Sequence, residues 1–345
     1  MRAVQLVGPG TLELRDVPIP EPGPGQVRVK VGGAGLCHSD LHVLEAGDLW
    51  PVFDMTMGHE GSGTIDKLGS GVSRWQVGEP VLLAVLWECG QCRACIEGRG
   101  NACERNGGRL NFPTTPGLGP DGSMAEYVIV GEHNLDALGE LSARDSAPLA
   151  DAGVTPMHAI NTVMSRLTPG STTVLLGVGG LGHVGLQIIK ATSATRLFAL
   201  DTTQEKLAMA SQLGADEVLL SDANAADAIL AATGGYGVDV VLDFVGVQPT
   251  VDLGRAVIAP EGLIRYVGLG GGSFTFGAAQ PIGFPWGVQM QSSFGGTHAD
   301  QLQVIALAQQ GKIQLEVQHY DLGDYQKAFD DLEHGRVAGR AILVP

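Results

Sequence analysis

The sequence predicts an α/β fold built on a doubly wound parallel sheet. Three observations carry this expectation. From Thr172 onward β-type apolar runs alternate with helical stretches, a glycine loop joins the first strand to the first helix, and an aspartate closes the next strand. The first strand is Thr172–Leu176, followed by Gly177-Val178-Gly179-Gly180-Leu181-Gly182 and a helix from His183 to about Ala191. The second, Arg196–Leu200, ends at Asp201. A helix through Leu213-Gly214 follows, then strands near Glu217–Leu220, Asp239–Asp243 and Leu263–Gly268.

A glycine triplet alone is weak in a chain with 51 glycines. Here it follows a strand, opens a helix and has an acid about twenty residues on, which is the context of a Rossmann dinucleotide fingerprint. Gly177 makes the turn, Gly179 lets backbone approach a pyrophosphate, and Gly182 permits close helix–strand packing. Gly180 and Leu181 complete the loop. Asp201 is placed to accept hydrogen bonds from the adenosine ribose. Thr202 and Thr203 follow it, with no arginine to meet a 2′-phosphate, so NAD is expected over NADP.

The chain has 345 residues, enough for two domains, with 44% hydrophobic and 17% charged residues, the profile of a well-packed protein. A net charge of −16 without a basic cluster argues against nucleic acid or an anionic membrane as partner. Thr173–Ile189 is almost uncharged, yet its five glycines and its change of periodicity indicate strand, loop and helix, not a membrane span. The N-terminus has no long apolar run of the secretory kind. A cytoplasmic location is therefore expected, where clustered thiols bind metal more readily than they form disulfides.

Four of the five cysteines, Cys89, Cys92, Cys95 and Cys103, follow the spacing C-x2-C-x2-C-x7-C. Four thiolates on a tight loop suit a closed tetrahedral zinc. A disulfide pair would need an oxidising compartment. A bacterial iron–sulfur run would continue with x3-C-P, whereas here seven residues intervene and Glu104 follows. Such a site stabilises a loop and leaves function open. Cys37 stands apart in Cys37-His38-Ser39-Asp40-Leu41-His42, some twenty residues before Gly58-His59-Glu60-Gly61-Ser62-Gly63. Singly, Cys37 reads as a core thiol, Ser39 as a helix N-cap and His42 as a polar surface residue. Together they suit a catalytic zinc, which takes three S, N or O ligands and keeps one open position; Cys37 and His59 supply two.

With these motifs the chain resembles the zinc-dependent medium-chain alcohol dehydrogenases. Gly58, His59, Glu60, Gly63, Gly69 and Val72 satisfy G-H-E-x2-G-x5-G-x2-V, joined by Cys-x-Ser at 37–39 and the four-cysteine lobe. The likeness runs from the turn at Gly23–Gly25 to Gly339-Arg340-Ala341. The resemblance implies a GroES-like, mostly-β catalytic domain of residues 1–152 and 294–345, with the Rossmann domain, 153–293, inserted in it and the active site between them. It implies two zinc ions per chain. The third catalytic ligand falls at Asp151, where many relatives carry cysteine; an acidic residue at a helix start is the ordinary alternative. Glu60 joins the metal transiently or only hydrogen-bonds around it. Ser39 would take the alcohol proton and His42, one helical turn on, would pass it to solvent. Lys206 would reach the ribose, or else lie on a solvated helix face. Arg340 would meet the pyrophosphate, Thr155 would pack behind the nicotinamide, and Val245 and Val267 would also touch the cofactor. His38 stands where relatives often carry arginine.

The activity implied is hydride transfer between NAD and an alcohol/carbonyl pair, with secondary alcohols and ketones, aryl ones included, ahead of primary alcohols, aldehydes or polyols. A zinc-free quinone reductase is disfavoured by Cys37, His59 and the lobe. A non-catalytic dinucleotide-binding protein has no need of Ser39, His42 and the zinc ligands together. Trp50, Trp87 and Trp286, with Phe284, line a substrate pocket or belong to the core or an interface. Val288–Phe294 reads as an edge strand; such strands pair between subunits in relatives, implying a homodimer or homotetramer.

Overall fold

The computed structural model describes residues 1–107, 109–110, 113–275, 284–337 and 339–345. The chain forms two compact units, Met1–Val154 with Gly295–Pro345, and Thr155–Phe294.

In chain order the first unit holds β1 (Arg2–Gly8), β2 (Thr11–Asp16), β3 (Gln26–Leu36), α1 (His38–Ala46), β4 (Met55–Thr56), β5 (Glu60–Leu68), β6 (Pro80–Leu83), the short α2 (Arg93–Ile96), β7 (Tyr127–Gly131) and β8 (Leu135–Ala137). After α3 (Val154–Asn161) the second unit holds β9 (Thr172–Leu176), α4 (Gly182–Thr192), β10 (Arg196–Asp201), α5 (Gln204–Gln212), β11 (Glu217–Leu220), α6 (Ala225–Ala232), β12 (Val238–Asp243), α7 (Gln248–Val257), β13 (Ile258–Tyr266) and β14 (Gln289–Ser292). The first unit then resumes with α8 (His298–Gln309), β15 (Val317–Asp321), α9 (Tyr325–Glu333) and β16 (Arg340–Val344).

Its main sheet has the order β15-β16-β3-β5-β6-β8, with β7 also paired to β3, and a smaller sheet has the order β2-β1-β4. β3 shows why this half folds as it does. Val27, Val29 and Val31 alternate inward and meet Ile65, Val81 and Leu83 of β5 and β6 in one apolar cluster. The last residues of β3 are buried without interruption and deliver the chain to Cys37.

The second unit is a six-stranded sheet, β11-β10-β9-β12-β13-β14, parallel at every pairing. Numbered from its own first strand, the order is that of a Rossmann sheet, reversing between β9 and β12. Both faces are covered, so β9 and β10 read as near-continuous apolar runs. Gly177 takes φ +88°, and a Cβ on Gly182 would lie 1.8 Å from the Gly177 carbonyl oxygen. Both positions need glycine.

Two local expectations are corrected. The strand sought at Leu263–Gly268 begins at Ile258, because Pro260-Glu261-Gly262 reads as a turn yet continues the strand as an irregularity. Glu261 takes φ +62° there, and the pairing with β12 slips in register. Cys37, not Ser39, is the N-cap of α1, so Ser39 lies within the first turn.

Candidate active site and metal centres

Cys37 leaves β3 in an extended conformation, and Asp40 turns back to accept its backbone N–H at 2.9 Å, closing a capping box. The other Asp40 oxygen lies 3.2 Å from Nδ1 of His59. A carboxylate at Nδ1 favours the tautomer that leaves Nε2 as the electron-pair donor. That Nε2 is buried and makes no hydrogen bond. It lies 3.6 Å from Oδ2 of Asp151, and the same oxygen is 3.7 Å from Sγ of Cys37. Asp151 follows the short helical turn Ala147–Ala150, which brings its carboxylate to the His59 ring and the Cys37 sulfur. One donor atom each from Cys37, His59, Glu60 and Asp151 lies within 4.8 Å of every other.

Glu60 opens β5 beside His59 and forms an ion pair with Arg340 at the start of β16; both residues are buried. A Cβ on Gly35 would lie 1.9 Å from Oε2 of Glu60, so the glycine leaves room for this carboxylate. Oε2 has no hydrogen-bond partner. Burial pushes the Glu60 carboxyl up to about 7, opposed by the Arg340 charge and reinforced by Asp151. Burial works against a proton charge on His59, yet Asp40 foremost, with Asp151, raises the imidazole pKa well above its ordinary range; a metal would take the place of the Nε2 proton and leave the other on Nδ1, facing Asp40. The cluster is electron-rich and asks for a cation. Its S, N and O donors, the unpartnered Nε2 and the tautomer set by Asp40 fit zinc.

Ser39 is half-buried, with Oγ 3.8 Å from the Cys37 sulfur, while His42 is exposed one turn further along α1. His38 is exposed at the helix start.

The second cluster is the four-cysteine lobe. Sulfur separations are 3.9 Å for Cys89–Cys95, 3.4 Å for Cys92–Cys95 and 3.9 Å for Cys92–Cys103. A tetrahedron with zinc–sulfur bonds of about 2.3 Å has edges of about 3.8 Å. Backbone N–H groups of Cys92, Cys89 and Glu104 point at the sulfurs of Cys89, Cys103 and Cys92, each at 3.4 Å. Chiefly the Cys95 N–H, against burial and with help from Glu104, draws the Cys92 thiol down to about 6, toward the thiolate a metal takes. All five cysteines are free of disulfides.

In the second unit, Asp201 is buried at the end of β10. It accepts the Val178 N–H at 2.8 Å and the Thr202 N–H at 2.7 Å, tying the glycine loop to the acid. Lys206 reaches within 3.8 Å of it. Gly179, Gly180 and Leu181 lead into α4, a Cβ on Gly177 would strike Val245 at 2.3 Å, and Thr155 and Val267 are buried. Trp50 and Trp87 pack against the apolar core of the first unit, Phe284 against that of the second, and Trp286 is 72% exposed.

Two residues here escaped the sequence reading. Asp40 carried a signal, since an acid three residues after a helix N-cap marks a capping box. Ser123, whose hydroxyl lies 2.8 Å from the Glu60 carbonyl oxygen, carried none.

Residues 23–139 match the family described as alcohol dehydrogenase GroES-like domain, and residues 180–310 match zinc-binding dehydrogenase. An NAD-dependent alcohol dehydrogenase of Sulfurisphaera tokodaii is 35% identical, with both chains covered completely. The crystal structure of the alcohol dehydrogenase from Aeropyrum pernix superposes with TM-score 0.90 at 34% identity, covering 100% of each chain. An acetophenone reductase from Geotrichum candidum, solved in complex with NAD, gives TM-score 0.84 at 30% identity, covering 100% of this chain and 97% of that one. The two metal-type clusters, the parallel sheet and these full-length matches converge on one assignment: the chain belongs to the zinc-type medium-chain alcohol dehydrogenase family.

Proposed function

We propose that the protein is a zinc-dependent oxidoreductase that moves hydride between NAD and an alcohol/carbonyl pair, with secondary alcohols and ketones, including aryl ketones, as its substrates. The observation that carries the proposal is the donor set of buried Cys37 and His59 with part-buried Asp151, and Asp40 behind the imidazole. Cys37, His59 and Asp151 would hold the zinc, which would supply a Lewis acid and lower the cost of removing the alcohol proton. NAD supplies the hydride acceptor.

The remaining chemistry belongs to side chains. Ser39 takes the hydroxyl proton and His42 delivers it to solvent, a direction suited to one half-buried and one exposed residue on the same helix. Glu60 and Arg340 neutralise one another beside the ligands, and by the family resemblance the Arg340 guanidinium would also meet the cofactor phosphates. Asp201 and Lys206 hold the adenosine ribose, with Gly177, Gly179, Gly180, Leu181 and Gly182 around the pyrophosphate and Thr155, Val245 and Val267 against the cofactor. Cys89, Cys92, Cys95 and Cys103 hold a second, structural zinc. A reducing, cytoplasmic setting keeps five thiols available. Self-association through the outer strand β14 gives a homodimer or a tetramer of dimers. Both the likeness to an acetophenone reductase and the acid at the end of β10 support the ketone and NAD preferences.

The test is oxidation of NADH and NADPH by the zinc-loaded protein offered acetophenone, 2-octanone and a matched aldehyde. Ketone-dependent oxidation of NADH, faster than that of NADPH, is expected. Turnover of the aldehyde alone would move the assignment to primary alcohols, and no turnover with any carbonyl would overturn it.

A further inference from the structure

The imidazole of His59 is oriented by Asp40, but what fixes the backbone that carries it lies elsewhere in the chain. His59 sits between Gly58, at φ +98°, and Glu60, the first residue of β5. Residues Asp121–Met124 run alongside this turn. The carboxylate of Asp121 accepts the Thr56 N–H at 2.7 Å, the Gly122 N–H reaches the Thr56 carbonyl at 2.8 Å, and the Met124 N–H reaches that of Met57 at 2.8 Å. Ser123 stands at the centre. Its N–H donates to the Gly58 carbonyl at 2.8 Å, and its hydroxyl lies 2.8 Å from the Glu60 carbonyl and 3.2 Å from that of Gly58. One residue thus ties the carbonyls on both sides of His59.

The fit is close. A Cβ on Gly58 would lie 2.9 Å from the Ser123 hydroxyl, and one on Gly61 would lie 2.8 Å from the Ser123 Cβ. Ser123 is 1% exposed, so no water replaces a lost hydroxyl without repacking.

We propose that Ser123 is a positioning residue for the catalytic metal, clamping the turn from Gly58 to Glu60 so that Nε2 of His59 faces Cys37 and Asp151. The proposal rests on the reading that these three residues hold zinc. Ser123 touches neither metal nor substrate; it acts through His59. Partners one step removed from a metal typically set affinity by about 10- to 100-fold.

The experiment is chelator competition on the full-length, zinc-loaded chain, with the four-thiolate zinc as internal reference. Ser123→Ala is expected to weaken one zinc by about 10-fold or more, leaving the other unchanged. Ser123→Thr, which keeps the hydroxyl, recovers most of the loss. Ser123→Gly removes the same hydroxyl and gives an independent measurement if the alanine variant does not fold. Cys37→Ser marks the catalytic zinc by losing it. Unchanged affinity in Ser123→Ala, with Cys37→Ser still losing its zinc, would overturn the role of Ser123 while leaving the site intact. Equal weakening of both zincs would reduce Ser123 to a folding residue and also overturn the proposal. A native chain that holds only the four-thiolate zinc would overturn the reading of the site, and this proposal with it.

Discussion

Asp40 engages the Cys37 N–H with one carboxylate oxygen and the His59 ring with the other, so one buried acid orders two proposed ligands. Asp40→Asn keeps the side chain's shape but weakens the acceptor at Nδ1. We expect about 10- to 100-fold lower affinity for one of two zincs by isothermal titration calorimetry. Equal affinity would remove Asp40 from the metal's support. Asp201 sets a second expectation. With Asp201→Gly and Thr202→Arg together, the loop loses the acceptor for a ribose hydroxyl and gains a partner for a 2′-phosphate. The ratio of kcat/KM for NADPH over NADH should then rise, and an unmoved ratio would defeat the ribose argument. Spacing made the four-cysteine lobe legible, because zinc chemistry restricts ligand types and local turns restrict their intervals, whereas Cys37 and His59, twenty-two residues apart, were legible only through the Cys-x-Ser and G-H-E motifs of the family resemblance. Ser123 was not legible. Its hydroxyl meets the Glu60 carbonyl across sixty-three residues, and the hydrogen bond of one hydroxyl leaves no periodic mark.

At the scale of elements, α9 shows how a helix end is held. Asp331 accepts hydrogen bonds from Lys327 at 2.6 Å, Arg336 at 2.8 Å and the Tyr320 hydroxyl at 2.9 Å. Lys327 foremost, then Arg336 and Tyr320, hold its carboxyl well below the usual range. An acid depressed in the folded chain contributes stability above its unfolded pKa of about 3.9 and loses it as pH falls toward the folded value. Asp331→Asn should therefore lower Tm at pH 7, and the gap from the native chain should narrow below about pH 4. A gap constant from pH 7 to pH 3 would mean that shape, not charge, is what the asparagine loses. The strands of the second unit were readable because parallel strands covered on both faces are continuous apolar runs, as at Thr172–Leu176. β13 was misjudged at its start, where Pro260-Glu261-Gly262 has turn composition but pairing to β12 on either side carries the strand through. Local propensity yielded to tertiary pairing.

At the scale of the whole molecule, the doubly wound order could be expected from alternating strands and helices, but which strand lies outermost depends on pairing. The sheet ends at β14, which hydrogen-bonds β13 from Gln289 to Ser292 and pairs with no further strand on its other side among the described residues. An open edge invites a second copy of the same strand. Successive residues of a strand direct their N–H groups to opposite sides, so of Met290 and Gln291 one serves β13 and the other faces outward. Proline removes the donor at either position. We expect light scattering on the native protein to give a dimer or tetramer, and one of the variants Met290→Pro and Gln291→Pro to give a smaller particle with unchanged far-ultraviolet circular dichroism. The other should lose sheet signal, because its missing N–H belongs to the pairing with β13. A native monomer, or native assembly size in both variants, would remove β14 from self-association. A smaller particle that still binds two zincs would separate assembly from the metal sites, whose proposed ligands all lie in the first unit.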